Sequence, residues 1–261
     1  MLKFLIFATV IVLLYIFIRN IFITHEWVNE VKTARKVIKR EEIPLEIEEV
    51  EFGEKVPKQI MQTYKSLDKV PPFVIKNIKR DNPDWDYHFF SDEEAEEFLE
   101  KEYPPQILEK FKSFSRGAHK ADLFRLCWLY KNGGVYVDID THLLKPIDEI
   151  VGEKELIIPL TYMKQDKRLL NCFMVCKRGD PLILKCIYSI MKIVDDELKK
   201  YYCLILRVMQ KSLEGEYEYE FFEKSTKHLF GGETWHIYDK KDNKIAESRY
   251  ENYDQIDGFV T

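Results

Sequence analysis

The hydrophobic pattern of the chain begins with an apolar run that carries no charged residue from Phe4 to Ile18. Arg19 and Asn20 interrupt it, and three more apolar residues follow up to residue 23. A helix that spans a bilayer needs roughly 20 residues, a length that this segment reaches when the Arg19 side chain extends toward the membrane surface. No small-residue cleavage motif follows, so we expect residues 1–23 to form an uncleaved single-pass anchor rather than a cleaved signal peptide.

Residues 24–51 have a different pattern, in which charged residues dominate and glycine is absent. We interpret this segment as a helical stem followed by an acidic linker. It contains a basic cluster formed by Lys32, Arg35, Lys36, Lys39 and Arg40. Because only Lys3 and the terminal amine precede the apolar run, the positive-inside bias places the rest of the chain on the cytosolic side.

From residue 52 to residue 261, segments with strand periodicity alternate with segments with helical periodicity, which predicts one globular domain. Strands are predicted at 56–64, 86–90, 135–140, 155–160 and 171–177. Helices are predicted before the Asn82-Pro83 turn, at 118–131 and from Pro181 to about residue 200. Ser91 and Glu94 form a capping-box pattern, which predicts that a further helix begins there. This alternation predicts an α/β fold with a mainly parallel sheet, in which ligands bind beyond the carboxyl ends of the strands.

The strand predicted at 135–140 ends in two aspartates, Asp138 and Asp140. Strand alternation puts both side chains on one face, roughly 7 Å apart. Two such carboxylates repel each other and raise each other's pKa unless a cation lies between them. A hard divalent ion is one solution, and it would leave positions open for phosphate oxygens. The alternative is that the strand has already ended and that both aspartates are solvated turn residues.

A second charged pair, Asp122 and Arg125, lies three residues apart on the helix predicted at 118–131, so the two side chains share a face. Almost all of the residues around them are apolar, which is typical of a buried helix. The pair is either a structural ion pair or part of a polar site beside a metal, with Arg125 placed for phosphate or sugar oxygens.

Three stretches of this sequence resemble one family of enzymes. The segment AHKADLFRLCWLYKNGGVYVDIDTHLLKPID, residues 118–148, resembles the Asp-x-Asp region of family-32-like glycosyltransferases, which include initiation-type α-mannosyltransferases and capsular polysaccharide sugar transferases. The same core occurs in the large clostridial glucosylating toxins. VPKQIMQTY, residues 56–64, is similar to the family's first-strand motif Ile-Pro-Lys-x-Ile-His-Gln-Thr-Trp, and NPDWDYHFFSDEE is similar to the segment that follows it. The matched pieces cover more than a third of the chain.

The resemblance implies a GT-A fold, which is a Rossmann-like mixed sheet flanked by helices. It also implies a UDP- or GDP-hexose donor, Mn²⁺ or Mg²⁺ as cofactor, and retention of the anomeric configuration. By position in the motif, Asp140 would ligate the metal, and Asp138 would contact the ribose and the metal. Asp122 and Arg125 would hold the donor sugar and the ribose.

Further site residues follow from the same resemblance. Tyr136 would lie beside the nucleotide, Tyr64 stands where the family has a base-stacking Trp, and Asn171 matches an Asn near the reacting centre. The implied catalytic residues are Arg125, Asp138, Asp140 and Asn171. Met61 replaces the usual His of the first motif, and this departure together with Tyr64 leaves the base of the nucleotide open. A contact to metal or diphosphate is expected from the C-terminal region, with His236 as the metal ligand and His228 and Trp235 as alternatives.

The function that we infer from the sequence is transfer of a hexose to a hydroxyl of a glycan, by a protein held at a membrane. Nucleic acid is not expected as a partner, since the net charge is −5 and the body of the chain has no basic stripe. An aspartyl-phosphate phosphatase would need Asp-x-Asp-x-Thr, whereas Thr141 follows Asp140 directly. A second rival is a membrane-tethered protein with an inactive transferase fold that only binds sugar or nucleotide. The presence of both Asp140 and Arg125 argues against an inactive protein.

The cellular compartment is open on sequence grounds. Family members are commonly type II membrane proteins that face the lumen of the Golgi or the endoplasmic reticulum. The charge bias, the absence of an Asn-x-Ser/Thr sequon and the odd number of cysteines, five, all favour the cytosol instead.

Overall fold

A computed structural model describes residue 12 and residues 24–163, 166–227 and 233–247. The anchor predicted at 1–23 therefore lies, apart from Val12, outside the described residues. Among the helices within the described ranges, none combines the length and the apolar character that a bilayer crossing requires.

The first described helix, α1 at residues 24–38, packs onto the body of the protein. Ala34 and Val37 are fully buried in the larger hydrophobic core, and Leu45 and Ile47 of the following irregular segment join the same core. An ion pair of Glu30 with Arg207, 3.3 Å between Oε2 and Nε, links the helix to the C-terminal half. The segment 24–51 thus contributes to the core, and the domain boundary predicted at residue 52 stays a prediction.

Eight further helices and one short 3-10 helix follow α1 within the described residues. The 3-10 helix is Leu67–Lys69, and the α-helices are α2 Pro72–Asp81, α3 Asp92–Glu102, α4 Pro105–Ser113, α5 Gly117–Asn132, α6 Ile147–Val151, α7 Pro181–Met191, α8 Asp195–Lys200 and α9 Leu204–Ser212. The capping box at the start of α3 is confirmed, since the backbone N–H of Glu94 donates to Ser91 Oγ (3.2 Å) and the backbone N–H of Ser91 donates to Glu94 Oε2 (2.8 Å).

The long helix predicted from Pro181 to residue 200 is wrong in one respect, because it is broken between α7 and α8. The backbone carbonyl of Lys192 accepts a hydrogen bond from Arg40 (2.6 Å), and that of Ile193 accepts one from Lys110 (2.6 Å). Side chains from distant parts of the chain therefore satisfy the carbonyls that the break exposes. Val194 is extended at this point.

Eleven strands form two sheets in the described part of the chain. The strands are β1 Gln59–Thr63, β2 Asp86–Phe90, β3 Gly134–Val137, β4 His142–Leu143, β5 Leu156–Ile157, β6 Leu160–Met163, β7 Asp166–Leu169, β8 Phe173–Cys176, β9 Phe221–Lys227, β10 Glu233–Asp239 and β11 Lys244–Glu247. The first sheet has the order β2-β1-β3-β8-β5, and the second has the order β4-β11-β10-β9-β6-β7.

The first sheet is mixed, which corrects the mainly parallel sheet predicted from the alternation of strands and helices and confirms the mixed sheet that the resemblance implies. Strands β2, β1 and β3 run parallel, whereas β8 is antiparallel to β3 and β5 is antiparallel to β8. The second sheet was not predicted at all, and its ladders are antiparallel except for β6 with β9. The chain is thus an α/β protein with mixed sheets flanked by helices.

Two glycines make the turn from α5 into β3, which joins the helix of Asp122 and Arg125 to the strand before Asp138. Gly133 has φ +68°, and a Cβ atom there would lie 2.5 Å from the backbone nitrogen of Arg178. Only a residue without a side chain fits this backbone conformation and this approach.

We expect Gly133→Ala to lower the free energy of unfolding by about 2 kcal/mol or more, since both the strained φ and the clash act on the folded state. Urea denaturation followed by circular dichroism measures this change. Gly117→Ala is the matched control, because nothing lies within 4 Å of a Cβ atom at that position. Equal stability of the two variants would contradict the prediction.

Candidate active site

The two aspartates lie in a turn directly after β3. The backbone N–H of Asp138 still donates to the carbonyl of Cys172 (2.7 Å), but the N–H of Thr141 then donates to the carbonyl of Asp138 (2.9 Å), which closes a turn over residues 138–141. The expectation that Asp138 and Asp140 share one face of an extended strand is therefore wrong. The chain turns after Val137, where β3 ends, and the alternation of side chains along a strand ends with it.

Asp138 is fixed by two neighbouring side chains. The Tyr136 hydroxyl donates to Asp138 Oδ1, and the Arg125 guanidinium lies 3.1 Å from the same oxygen. The Arg125 guanidinium also stacks over the Tyr136 ring, 4.3 Å from its centroid. About a quarter of the Asp138 side chain stays exposed (26%), against 4% for Arg125. The carboxylate of Asp138 is thus held from inside the protein and presented to solvent.

Arg125 is the centre of this group. Its Nη1 donates to the carbonyl of Asn171 (2.6 Å), its Nε donates to the carbonyl of Ala121 (3.0 Å), and its Nη2 lies 3.2 Å from Asp122 Oδ1. Burial by itself lowers the pKa of the guanidinium, but the charges of Asp138, Tyr136 and Asp122 outweigh burial and raise that pKa above its usual value. A guanidinium has five N–H groups, so these contacts leave at most one for a ligand.

Asp122 and Asn171 complete the buried part of the site. Asn171 Nδ2 donates to Asp122 Oδ1 at 2.7 Å, and both residues are buried. Burial raises the pKa of the Asp122 carboxyl, while Arg125 and Asn171 oppose that shift. The structure therefore brings five of the predicted site residues together: Asp122, Arg125, Tyr136, Asp138 and Asn171.

Tyr64 and Asp140 follow two adjacent internal strands of the first sheet, beyond the carboxyl ends of those strands. Tyr64 directly follows β1, the parallel neighbour of β3, and both residues are half-buried. Burial raises the pKa of the Tyr64 hydroxyl, and the nearby charge of Asp140 raises it further. Tyr64 and Asp140 are thus neighbours at the carboxyl ends of β1 and β3, where the α/β pattern predicts a ligand.

Two residues that the sequence analysis missed support Asp138 from the neighbouring strands. Gln62 Nε2 donates to the backbone carbonyl of Asp138 (3.3 Å), and the Tyr87 hydroxyl donates to Gln62 Oε1 (3.0 Å). Gln62 lies in β1, two residues before Tyr64. Its position within the first-strand motif was the only sequence feature that could have identified it as a site residue.

His236 lies on β10 of the second sheet, with Nε2 3.5 Å from Glu247 Oε1. Trp235 precedes it on the same strand, and His228 lies outside the described residues. Within the described ranges, no three His, Cys, Asp or Glu side chains form a group that could hold a metal ion. The predicted ligands Asp138, Asp140 and His236 are thus not assembled into a three-residue site, and their metal-binding roles stay predictions.

The carboxylates nevertheless fit a metal that is bound together with a substrate. Asp122 and Asp138 both lie beside a single guanidinium, that of Arg125, so this group carries one more negative than positive charge, and Asp140 follows two residues after Asp138. Mg²⁺ and similar ions are usually held by one or two carboxylates, by water and by substrate phosphates rather than by a complete protein cage. The partly exposed Asp138 and Asp140 meet that requirement.

Comparison with known proteins places these residues in a described family region. Residues 72–157 match the family described as a glycosyltransferase sugar-binding region containing a DXD motif. The matched segment contains Asp122, Arg125, Tyr136, Asp138 and Asp140. Tyr64, Asn171 and His236 lie outside it.

Two relatives and one solved structure are similar to the chain. The initiation-specific alpha-1,6-mannosyltransferase of Candida albicans is 33% identical over 110 residues, which are 39% of this chain and 29% of that protein. The protein of the same name from Saccharomyces cerevisiae is 35% identical over 102 residues, 36% of this chain and 21% of that protein. The structure of the PaToxG glycosyltransferase aligns with 17% identity and a TM-score of 0.46, over 74% of this chain and 76% of that one.

The chain spans less than a third of the length of each of these two mannosyltransferases. The family match is confined to the segment that carries the Asp122–Arg125 helix and the aspartate turn. Residues 72–157 therefore match the glycosyltransferase sugar-binding regions that contain a DXD motif, as the motif resemblance predicts.

Proposed function

We propose that this protein is a metal-dependent, retaining glycosyltransferase that moves a hexose from a nucleoside diphosphate sugar to a hydroxyl group of a glycan. One observation carries the proposal: Arg125 and Tyr136 hold the partly exposed Asp138 next to Asp140, at the carboxyl end of β3. The match of this segment to a DXD-containing sugar-binding region supports the same function.

In this proposal, the donor lies across the carboxyl ends of the strands of the first sheet. The base packs against Tyr64, and Asp138 accepts hydrogen bonds from the ribose. Asp122 and Asn171 hold the hexose, with Asn171 fixed by its own bond to Asp122. Because at most one N–H group of Arg125 is left for a ligand, Arg125 positions Asp122 and Asp138 rather than binding the donor itself.

Asp140, together with Asp138, would hold Mn²⁺ or Mg²⁺. When bound, such an ion neutralises the charge that develops on the departing diphosphate. Asp140 is half-buried, so its carboxylate can reach an ion that enters with the substrate.

Retention of configuration is what the motif resemblance implies, and the way in which Asp122 is held argues against a route through a covalent intermediate on Asp122. Its Oδ1 atom faces both Arg125 and Asn171, which makes it a poor nucleophile. The acceptor hydroxyl therefore attacks the anomeric carbon from the face that the diphosphate leaves. The bond from that carbon to the phosphate oxygen breaks, the bond to the acceptor oxygen forms, and the acceptor proton passes to the leaving phosphate.

Membrane attachment is part of the same proposal and rests on the apolar run at residues 1–23 alone. A catalytic domain tethered in this way would act on glycans that are themselves carried by the membrane or pass along it.

Release of nucleotide from a panel of UDP- and GDP-hexoses tests the function directly. The full chain is used, since residues of 24–51 belong to the core. We expect release from one donor, with a mannose donor as the first choice given the relatives, and a loss of release in EDTA that added Mn²⁺ restores. Binding of a donor without release or transfer to any glycoside would favour the inactive sugar-binding protein, and no binding at all would refute the proposal.

A further inference from the structure

An aromatic side chain from outside the matched segment borders the candidate active site. Tyr202 stands in the turn between α8 and α9, and about half of it is exposed (49%). His119 holds it in place, since His119 Nε2 donates to the backbone carbonyl of Tyr202 (3.0 Å) and the two rings are 5.3 Å apart. The position of Tyr202 is thus fixed although its ring is open to solvent.

The positively charged side chain of Arg116 lies beside the ring of Tyr202. The Arg116 guanidinium lies 4.9 Å from the centroid of the Tyr202 ring. Arg116 is exposed, and within the described part of the chain no carboxylate pairs with its guanidinium. Its N–H groups therefore remain available beside an aromatic face.

Tyr202 lies close to the Asp122 end of the site. His119 precedes Asp122 by one turn of α5, so the two side chains share a helix face. Burial raises the pKa of the Tyr202 hydroxyl, and the charge of Asp122 raises it further, ahead of that of Asp138. For Tyr64 the neighbouring charge is that of Asp140. Through its contact with His119, Tyr202 therefore lies on the Asp122 side of the site.

We propose that Tyr202 is the platform on which the sugar ring of the acceptor glycan stacks, with Arg116 donating hydrogen bonds to its hydroxyl groups. This inference rests on the proposed function, which assigns the base to Tyr64 and the donor hexose to Asp122. The next position beyond the hexose belongs to the group that attacks it, namely the acceptor.

The chemistry of the ring suits that occupant. One face of a pyranose presents C–H groups, and the negative face of an aromatic ring attracts them, while a tyrosine also offers a polar edge. Ligand sites combine such apolar surfaces with a few polar groups that fix orientation, which here are Arg116 and the Tyr202 hydroxyl. A half-exposed, immobilised tyrosine next to an exposed arginine thus fits a saccharide.

Steady-state kinetics of Tyr202→Ala test the inference, with methyl α-mannoside and methyl α-glucoside as acceptors. We expect the acceptor KM to rise about tenfold, in line with the loss of one aromatic contact, while the donor KM changes less than twofold. Tyr202→Phe keeps the ring and is expected to retain the acceptor KM within about threefold. Val194→Ala is the matched surface control, because Val194 is an exposed apolar residue outside the proposed platform. A rise in donor KM, or no change in acceptor KM, would overturn the proposal.

Saturation-transfer NMR with the same glycosides gives a readout that does not depend on turnover. The wild-type protein is expected to transfer saturation to the ring protons, and Tyr202→Ala is expected to lose most of that signal. Absence of the signal in the wild type would refute the sugar platform even if donor release is observed. Conversely, a wild type that releases no nucleotide from any donor refutes the proposed function, and the NMR result still decides whether Tyr202 binds sugar.

Discussion

Asp140→Asn is expected to lower release of nucleotide from the donor by at least about a hundredfold and to leave the fold intact. The substitution keeps the size of the side chain but removes the negative charge that would hold the divalent ion. Asp140 is half-buried in the turn after β3 and stands outside the Arg125 group, so the packed core does not depend on its charge. Turnover at saturating donor and Mn²⁺, together with the thermal unfolding midpoint, measures both parts of this prediction.

Asp148→Asn is the matched control for that experiment. Asp148 lies on α6 within the same family segment, with 56% of its side chain exposed, and it pairs with Lys58 at 3.0 Å. Exposed pairs of this kind contribute little to stability, so we expect the control to keep its activity. Full activity of Asp140→Asn in an assay stripped of metal would remove the basis for a metal-dependent mechanism.

The elements around the site could be predicted where the signal is local. The capping box at Ser91 and the glycine stop after α5 are encoded within a few residues, and both helices form as expected. The end of β3 was misplaced because apolar alternation continues into the turn. Ile139 is buried, 5% exposed, and packs with Val70 and Val74, so a turn residue has the pattern of a strand residue.

Features that depend on distant partners could not be predicted. The break between α7 and α8 rests on Arg40 and Lys110, which lie far away in the chain. The direction of β8 follows from its connection and not from its own residues, so the alternation of strands and helices did not predict the mixed sheet, which only the family resemblance implied. Asn171 was identified only through the family resemblance, whereas its bond to Asp122 comes from the pairing of β8 with β3.

Arg125→Met is expected to lower the free energy of unfolding by about 3–5 kcal/mol, the range observed when one partner of a buried ion pair is removed. Methionine fills a similar volume but leaves Asp122 and Asp138 without their cation, and it leaves the carbonyl of Asn171 without its donor. Urea denaturation measures the loss. In addition, the folded fraction is expected to bind donor more weakly, because Asp138 is no longer fixed.

Arg207→Met separates these two effects. Arg207 is also buried and paired, with Glu30 of α1 at 3.3 Å, but it lies on α9 outside the Arg125 group. We expect that variant to lose stability and to keep its donor affinity. Arg125→Lys is expected to recover part of the stability but little of the affinity, since one ammonium group cannot bridge Asp122, Asp138 and the Asn171 carbonyl as a planar guanidinium does. If Arg125→Met and Arg207→Met weakened donor binding equally, Arg125 would be a structural residue rather than one that positions the site.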